Sequence, residues 1–192
     1  MTILPTHLGD EPEFEKATAE RFATMQASPP EGMVFVKQGD GGFYMDKTEV
    51  TQEAYQRVIG SNPSHFKDCP TCPVETVTWD EADAYCKKVG KVLPNEKDWE
   101  YAAGSGKGET YAGTSNESEV DDYAWDYNNS GQSLFNPLGS KSHPVGTKKP
   151  NGLGLYDMSG NVAEWMDGMM HSRISGLFAA VRFFRWSEKE LP

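Results

Sequence analysis

Between Asp157 and Glu164 the chain reads D-M-S-G-N-V-A-E. The two carboxylates and the carbonyls of Gly160 and Val162 form a D-x-x-G-x-V-x-E pattern. Hard oxygen donors of this kind, two of them ionised, suit Ca²⁺. Asp157, Gly160, Val162 and Glu164 are therefore candidate ligands of a structural calcium ion. The same carboxylates have a second use. In an irregular loop they can accept backbone N–H groups that no helix or strand satisfies. Nothing beside them reads as an acid–base partner, so an ion there would hold shape rather than drive a reaction. No other cofactor is implied.

The thiols are Cys69, Cys72 and Cys86. Cys69-Pro-Thr-Cys72 has metal or redox spacing, but a zinc site needs two more ligands, and only Cys86 and four scattered histidines remain. An odd count also argues against a disulfide framework. A structural thiol pair or a local disulfide is the favoured reading, with metal or redox chemistry as the alternative. His65, His143 and His171 are isolated in sequence. Asp80, Glu81 and Asp83 read as a helix N-terminus, where carboxylates meet the positive end of the dipole. No G-x-S-x-G, P-loop or H-E-x-x-H pattern occurs.

The elements that must position these groups follow from periodicity and punctuation. Residues 1–30 read as an N-terminal helical appendage: Glu13–Gln26 suits an amphipathic helix, and Ser28-Pro29-Pro30 breaks it. Residues 31–192 form the main domain. Gly32–Lys37 and Gly42–Asp46 pair as a hairpin. Thr48–Ile59 reads as a helix ended by Gly60. Thr78-Trp-Asp-Glu81 has capping-box spacing and opens a helix to Val89. Glu96–Ala103 is a further helix, stopped by Gly104. Gly104–Lys149 is long and polar, and its aromatics, Tyr123 and Trp125 among them, are expected to pin it to the core. Short antiparallel strands plus helices give an α+β class.

These motifs occur in a recognisable order. His143–Trp165 reads H-P-V-G-T-K-K-P-N-G-L-G-L-Y-D-M-S-G-N-V-A-E-W. Upstream lie Gly32-Met-Val-Phe-Val, Lys47-Thr-Glu-Val-Thr51, Cys72-Pro-Val-Glu-Thr-Val-Thr-Trp79, the Ala-Tyr-Cys86 helix and Leu93–Ala103. Together they resemble the formylglycine-generating-enzyme (sulfatase-modifying factor) family. The resemblance implies a C-type-lectin-like fold: two main helices, small antiparallel sheets and much irregular chain. It also implies calcium at positions matching Asp157–Glu164 in some members. The enzymes of the family need a cysteine pair well after the G-N-V-x-E-W segment to hold copper. Here 27 residues follow Trp165 and none is Cys. The iron-binding His set of the ergothioneine-pathway relatives is missing as well. The expectation is a chain that is not an enzyme; the alternative is a formylglycine-generating-type oxidase or its degenerate form.

The segment 165–186 interleaves small or basic residues with bulky ones: Met166, Met169, Met170, Ile174, Leu177, Phe178, Val181, Phe183 and Phe184. They follow neither a clean two-residue nor a clean 3.6-residue period. This combination resembles the variable proteins of diversity-generating retroelements, whose diversified C-terminal residues form a ligand-binding face on a fixed scaffold. The resemblance implies that the nine bulky residues build such a face, binding a protein or surface ligand; the alternative is ordinary core strands. Composition narrows the partner. A formal net charge of −11 opposes a broad nucleic-acid interface. No run of about 20 apolar residues marks a membrane span. No signal peptide is visible, and the expectation is a soluble chain of unassigned localisation.

Overall fold

Three helices start where a side-chain oxygen can take an N–H that the helix itself leaves orphaned. Thr51 accepts from the amide of Ala54, Thr78 from that of Glu81, and Asn95 from that of Asp98. At Thr78 the Glu81 carboxylate also reaches back to the Thr78 amide, which completes a capping box. The computed structural model describes residues 11–126, 128–131, 141–167, 179–180 and 184–186. In it these caps open α2 (Gln52–Ile59), α3 (Trp79–Lys88) and α4 (Glu96–Ala103). A longer helix, α1 (Glu11–Ala27), precedes them, and a short one, α5 (Val120–Tyr123), follows.

The helix expected from Thr48 begins only at Gln52. The residues before it are committed elsewhere: the Val50 carbonyl accepts the Val74 amide at 2.8 Å, and Thr51 bridges Pro73. Thr51, itself in extended backbone at φ −74° and ψ 156°, is thereby placed as the cap. The hairpin forms as expected, with β1 (Met33–Gln38) antiparallel to β2 (Gly41–Asp46) and Gln38 opposite Gly41. A third strand, β5 (Phe184–Trp186), joins the other side of β2, giving the order β1-β2-β5. Two further strands of two residues each, β3 (Ala163–Glu164) and β4 (Ala179–Ala180), pair in parallel. The chain is thus a mixed α+β fold with a small antiparallel sheet and several helices.

Among the described residues, two apolar clusters form its core. One lies between α2 and α3: Tyr55 and Tyr85 stack at 5.1 Å between centroids, with Val74, Val77, Cys86 and Leu93 around them. Burial pushes the Tyr85 phenol up to about 12. The other lies between the hairpin and α4: Val36, Phe43 and Met45 meet Ala102, Leu155 and Met158. The helix α1 rests on β1 through Phe22, which is buried and stacked on Phe35. Its other described side chains are mostly exposed.

Candidate functional site

The segment that leads into residues 165–186 is held by three indoles. Trp99, on α4, donates from Nε1 to Glu164 Oε2 at 2.7 Å. Trp79, at the start of α3, donates to the Met166 carbonyl at 3.0 Å. Trp165 donates back to the Val77 carbonyl at 2.9 Å. The Asp167 amide then donates to the Pro94 carbonyl at 2.7 Å, where Asn95 and Asp167 form a parallel bridge. Each indole also packs on a core cluster: Trp79 and Trp165 on the α2–α3 cluster, Trp99 on the hairpin–α4 cluster. Residues 164–167 therefore sit at the junction of both cores. All three tryptophans are half-buried rather than fully enclosed. An indole placed this way gives its apolar body to the core and its N–H to a partner.

Further along, the backbone is caught again. Ala179 lies opposite Ala163, and Ala180 opposite Glu164. Phe184 lies opposite Met45, Arg185 opposite Tyr44, and Trp186 opposite Phe43. Met45 and Phe43 are themselves buried. The chain between residues 165 and 186 is thus fixed at its start, at β4 and at β5.

The Gly160-Asn161 pair forms a second node. Gly160 has φ +94°, and a Cβ built there would fall 2.2 Å from the Trp125 carbonyl oxygen. That same oxygen accepts the Asn161 amide at 2.8 Å. The close approach requires glycine. Asn161, also left-handed at φ +59°, sends Oδ1 to the His143 amide at 2.9 Å and Nδ2 to the His143 carbonyl at 3.2 Å. Its Nδ2 also reaches Glu49 Oε1 at 3.2 Å, and Glu49 is only 1% exposed. The His143 ring stacks on Trp125 with 3.7 Å between centroids. The Trp125 indole donates to Thr147 Oγ1 at 3.0 Å, and the Lys148 ammonium lies 4.0 Å from the Trp125 ring centre. Burial lowers the His143 pKa against the bond to the Ser130 backbone, and Lys141 and Lys148 lower it further. Trp125 thereby ties this described part of the long loop to the 143–161 segment.

The expected calcium ligands fall into this framework as follows. Asp157 is buried with φ +55°, and its Oδ2 accepts the Gly146 amide at 2.7 Å. Glu164 accepts the Trp99 indole. Gly160 approaches Trp125, and Val162 is half-buried beside it in the chain. Among the described residues no group of three or more His, Cys, Asp or Glu side chains could hold a metal ion. Each carboxylate accepts one N–H group in this framework, Asp157 that of the Gly146 backbone and Glu164 that of the Trp99 indole. Cys69 and Cys72 form a disulfide, and Cys86 is a buried free thiol.

Of the expected binding face, Met166 is described: half-buried, with its carbonyl taken by Trp79. Phe184 is described by its pairing in β5 alone. Met169, Met170, Ile174, Leu177, Phe178, Val181 and Phe183 lie outside the described residues. Glu49, His143 and Asn161 form a connected set that leaves little mark in the sequence. Their signal was the Gly-Asn pair, a dipeptide suited to left-handed backbone.

Among curated proteins the chain is similar to the Chaperone protein LppX of Paenibacillus barcinonensis, 34% identical over 174 residues, covering 64% of this chain and 61% of that protein. It is also similar to the Inactive C-alpha-formylglycine-generating enzyme 2 of Bos taurus, 39% identical over 123 residues, covering 59% of this chain and 38% of that protein. Among solved structures it is similar to Treponema denticola variable protein 1, with a TM-score of 0.57 and 33% identity over 65% of this chain and 62% of that one. The chain spans less than two thirds of the length of each. A family model, the Sulfatase-modifying factor enzyme 1-like domain, matches residues 16–186. With that match running from the second turn of α1 to the last residue of β5, the chain belongs to the formylglycine-generating, sulfatase-modifying-factor family.

Proposed function

We propose that this chain is a non-enzymatic ligand-binding protein: a diversity-generating-retroelement variable protein that displays residues 165–186 as a diversified face on a C-type-lectin-like scaffold. The observation that carries the proposal is the anchoring of that segment. Three indole N–H bonds and the Asp167–Pro94 bond hold its start. Backbone pairing catches it again at Ala179–Ala180 and at Phe184–Trp186. Backbone fixed from outside lets the side chains between the anchors change without loss of the fold. That is the arrangement a variable binding surface needs. The likeness to Treponema denticola variable protein 1 supports the same reading, as does the likeness to a bovine protein named as inactive.

The cysteines support the absence of oxidase chemistry. A copper centre needs soft thiolates. Cys69 and Cys72 are joined to each other, and burial pushes the Cys86 thiol up to about 12. The ligand is a protein or another surface; the net charge of −11 disfavours nucleic acid. No described helix is long and apolar enough to cross a membrane.

The test is substitution across the face. Met170→Ser, Leu177→Ser and Phe178→Ser should each change stability by about 0.5 kcal/mol or less, as surface positions do, while altering which ligand is bound. Collapse of all three would overturn the proposal. The family membership favours one second reading, a formylglycine-generating-type oxidase or its degenerate form. Copper-dependent, oxygen-consuming conversion of a cysteine in a sulfatase-type peptide by the pure protein would establish that reading instead.

A further inference from the structure

The turn Cys69-Pro-Thr-Cys72 supplies hydrogen-bond acceptors to two other parts of the chain. The first N–H groups of a helix have no partner within it. In α2 the amide of Gln52 donates to the Cys72 carbonyl at 2.9 Å, and that of Glu53 to the Pro70 carbonyl at 3.0 Å. The next, Ala54, is taken by the Thr51 side chain. Two of the three orphan donors of α2 are thus satisfied by the disulfide turn rather than by a capping side chain. The carbonyl between them, that of Thr71, accepts the Val145 amide at 3.0 Å. Val145 lies two residues beyond His143, whose backbone Asn161 holds. One four-residue turn therefore presents three successive carbonyls, two to a helix start and one to the 143–161 segment.

The bridge fixes this shape more than it fixes the fold. A cross-link between positions three apart closes a very short loop, the case in which it stabilises a folded chain least. The turn also places its two cysteines unequally: Cys72 is 2% exposed, and Cys69 is half-buried. Exchange with a thiol needs access to one sulfur and a leaving group at the other.

We infer that Cys69–Cys72 is a thiol-exchange site for small thiols and dithiols, and that its redox state sets the order of the α2 start and of the Val145 segment. A thiolate attacks Cys69 Sγ, forming a mixed disulfide and breaking the bond to Cys72, which leaves as thiolate and takes up a proton. The second thiol of a dithiol then displaces Cys69, which leaves the protein with two thiols and the reagent as a cyclic disulfide. Two electrons and two protons pass from reagent to protein. Cys86 takes no part, being buried with its thiol held protonated.

The experiment treats the native full chain with dithiothreitol, alkylates it with iodoacetamide, and follows amide hydrogen exchange with and without reductant. Cys69 and Cys72 should become alkylated while Cys86 stays unmodified until denaturant is added. Exchange at Gln52, Glu53 and Val145 should rise roughly five- to tenfold, the scale on which a lost helix cap is felt, and should return on reoxidation. Amides of β1 and β2 should not respond. The Cys69→Ala/Cys72→Ala double variant should show the raised exchange without reductant. Because the reductant arm uses the unaltered protein, it decides the matter even where the double variant fails to fold. The inference is overturned by reduction that occurs only together with alkylation of Cys86, or by reduction that leaves the three amides unchanged.

Discussion

Trp99 and Glu164, 65 positions apart in sequence, are joined by an indole N–H donated to a carboxylate oxygen at 2.7 Å. The bond links α4 to β3 immediately before the proposed binding face. A hydrogen bond to a charged group is worth about 1.5–3 kcal/mol. Glu164→Ala and Trp99→Phe should each destabilise the protein on that scale, and the double variant should lose less than the sum, with a coupling of roughly 0.5–3 kcal/mol. Urea denaturation of the four proteins measures it. Additive losses would show that the pair is not coupled.

Calcium tests the other use of the same carboxylate. An ion bound only by the folded state at about a hundred times its dissociation constant would add about 2.7 kcal/mol. Asp157 and Glu164 both accept N–H groups, so melting temperatures in millimolar calcium and in chelator should coincide. A clear rise with calcium would instead support Asp157, Gly160, Val162 and Glu164 as ligands.

Gly160→Ala should be severe. Left-handed backbone costs a non-glycine residue roughly 1–2 kcal/mol, and the new methyl would collide with the Trp125 carbonyl. Forcing it in adds a further strain of about 1–3 kcal/mol. A loss below about 1 kcal/mol by denaturant titration, the lower edge of that backbone term alone, would contradict the close approach.

His143 gives the protein a dependence on acid. Its pKa is lowered from the ordinary 6.5, chiefly by burial. A depressed folded-state pKa means that the unfolded chain binds the proton first. The stability this residue confers is therefore complete above about pH 6.5 and falls as pH drops toward the folded-state value. Unfolding free energies at pH 7.5 and pH 5 should differ, and His143→Phe should shrink the difference while keeping an aromatic against Trp125. An unchanged slope would assign the acid sensitivity to other groups.

Much of the frame is legible in the residues. Thr78 with Glu81 marks the start of α3, and Asn95 with Gly104 brackets α4, because caps and stops act locally. The hairpin follows from two short β-rich runs flanking Gly39-Asp40. The start of α2 is less legible, since what delays it is Val74 bonding to Val50 from 24 positions away. The three tryptophans stand out as anchors, yet their half-burial and the direction of each N–H depend on partners remote in sequence, such as Trp79 on Met166. The same holds for Asn161: its type announces an unusual backbone, but Glu49 and His143 as its partners are set by tertiary approach alone.

The order β1-β2-β5 has a consequence for the making of the protein. The central strand, β2, ends at Asp46, while the strand on its far side spans Phe184–Trp186. During synthesis the hairpin emerges first and then waits, with one side of β2 unpaired, until Phe184–Trp186 has left the ribosome. Pairing across so long an interval is slow to form. An uncovered strand side meanwhile is a template for the wrong neighbour. Chains interrupted before Phe184 should therefore aggregate more readily than chains that include β5.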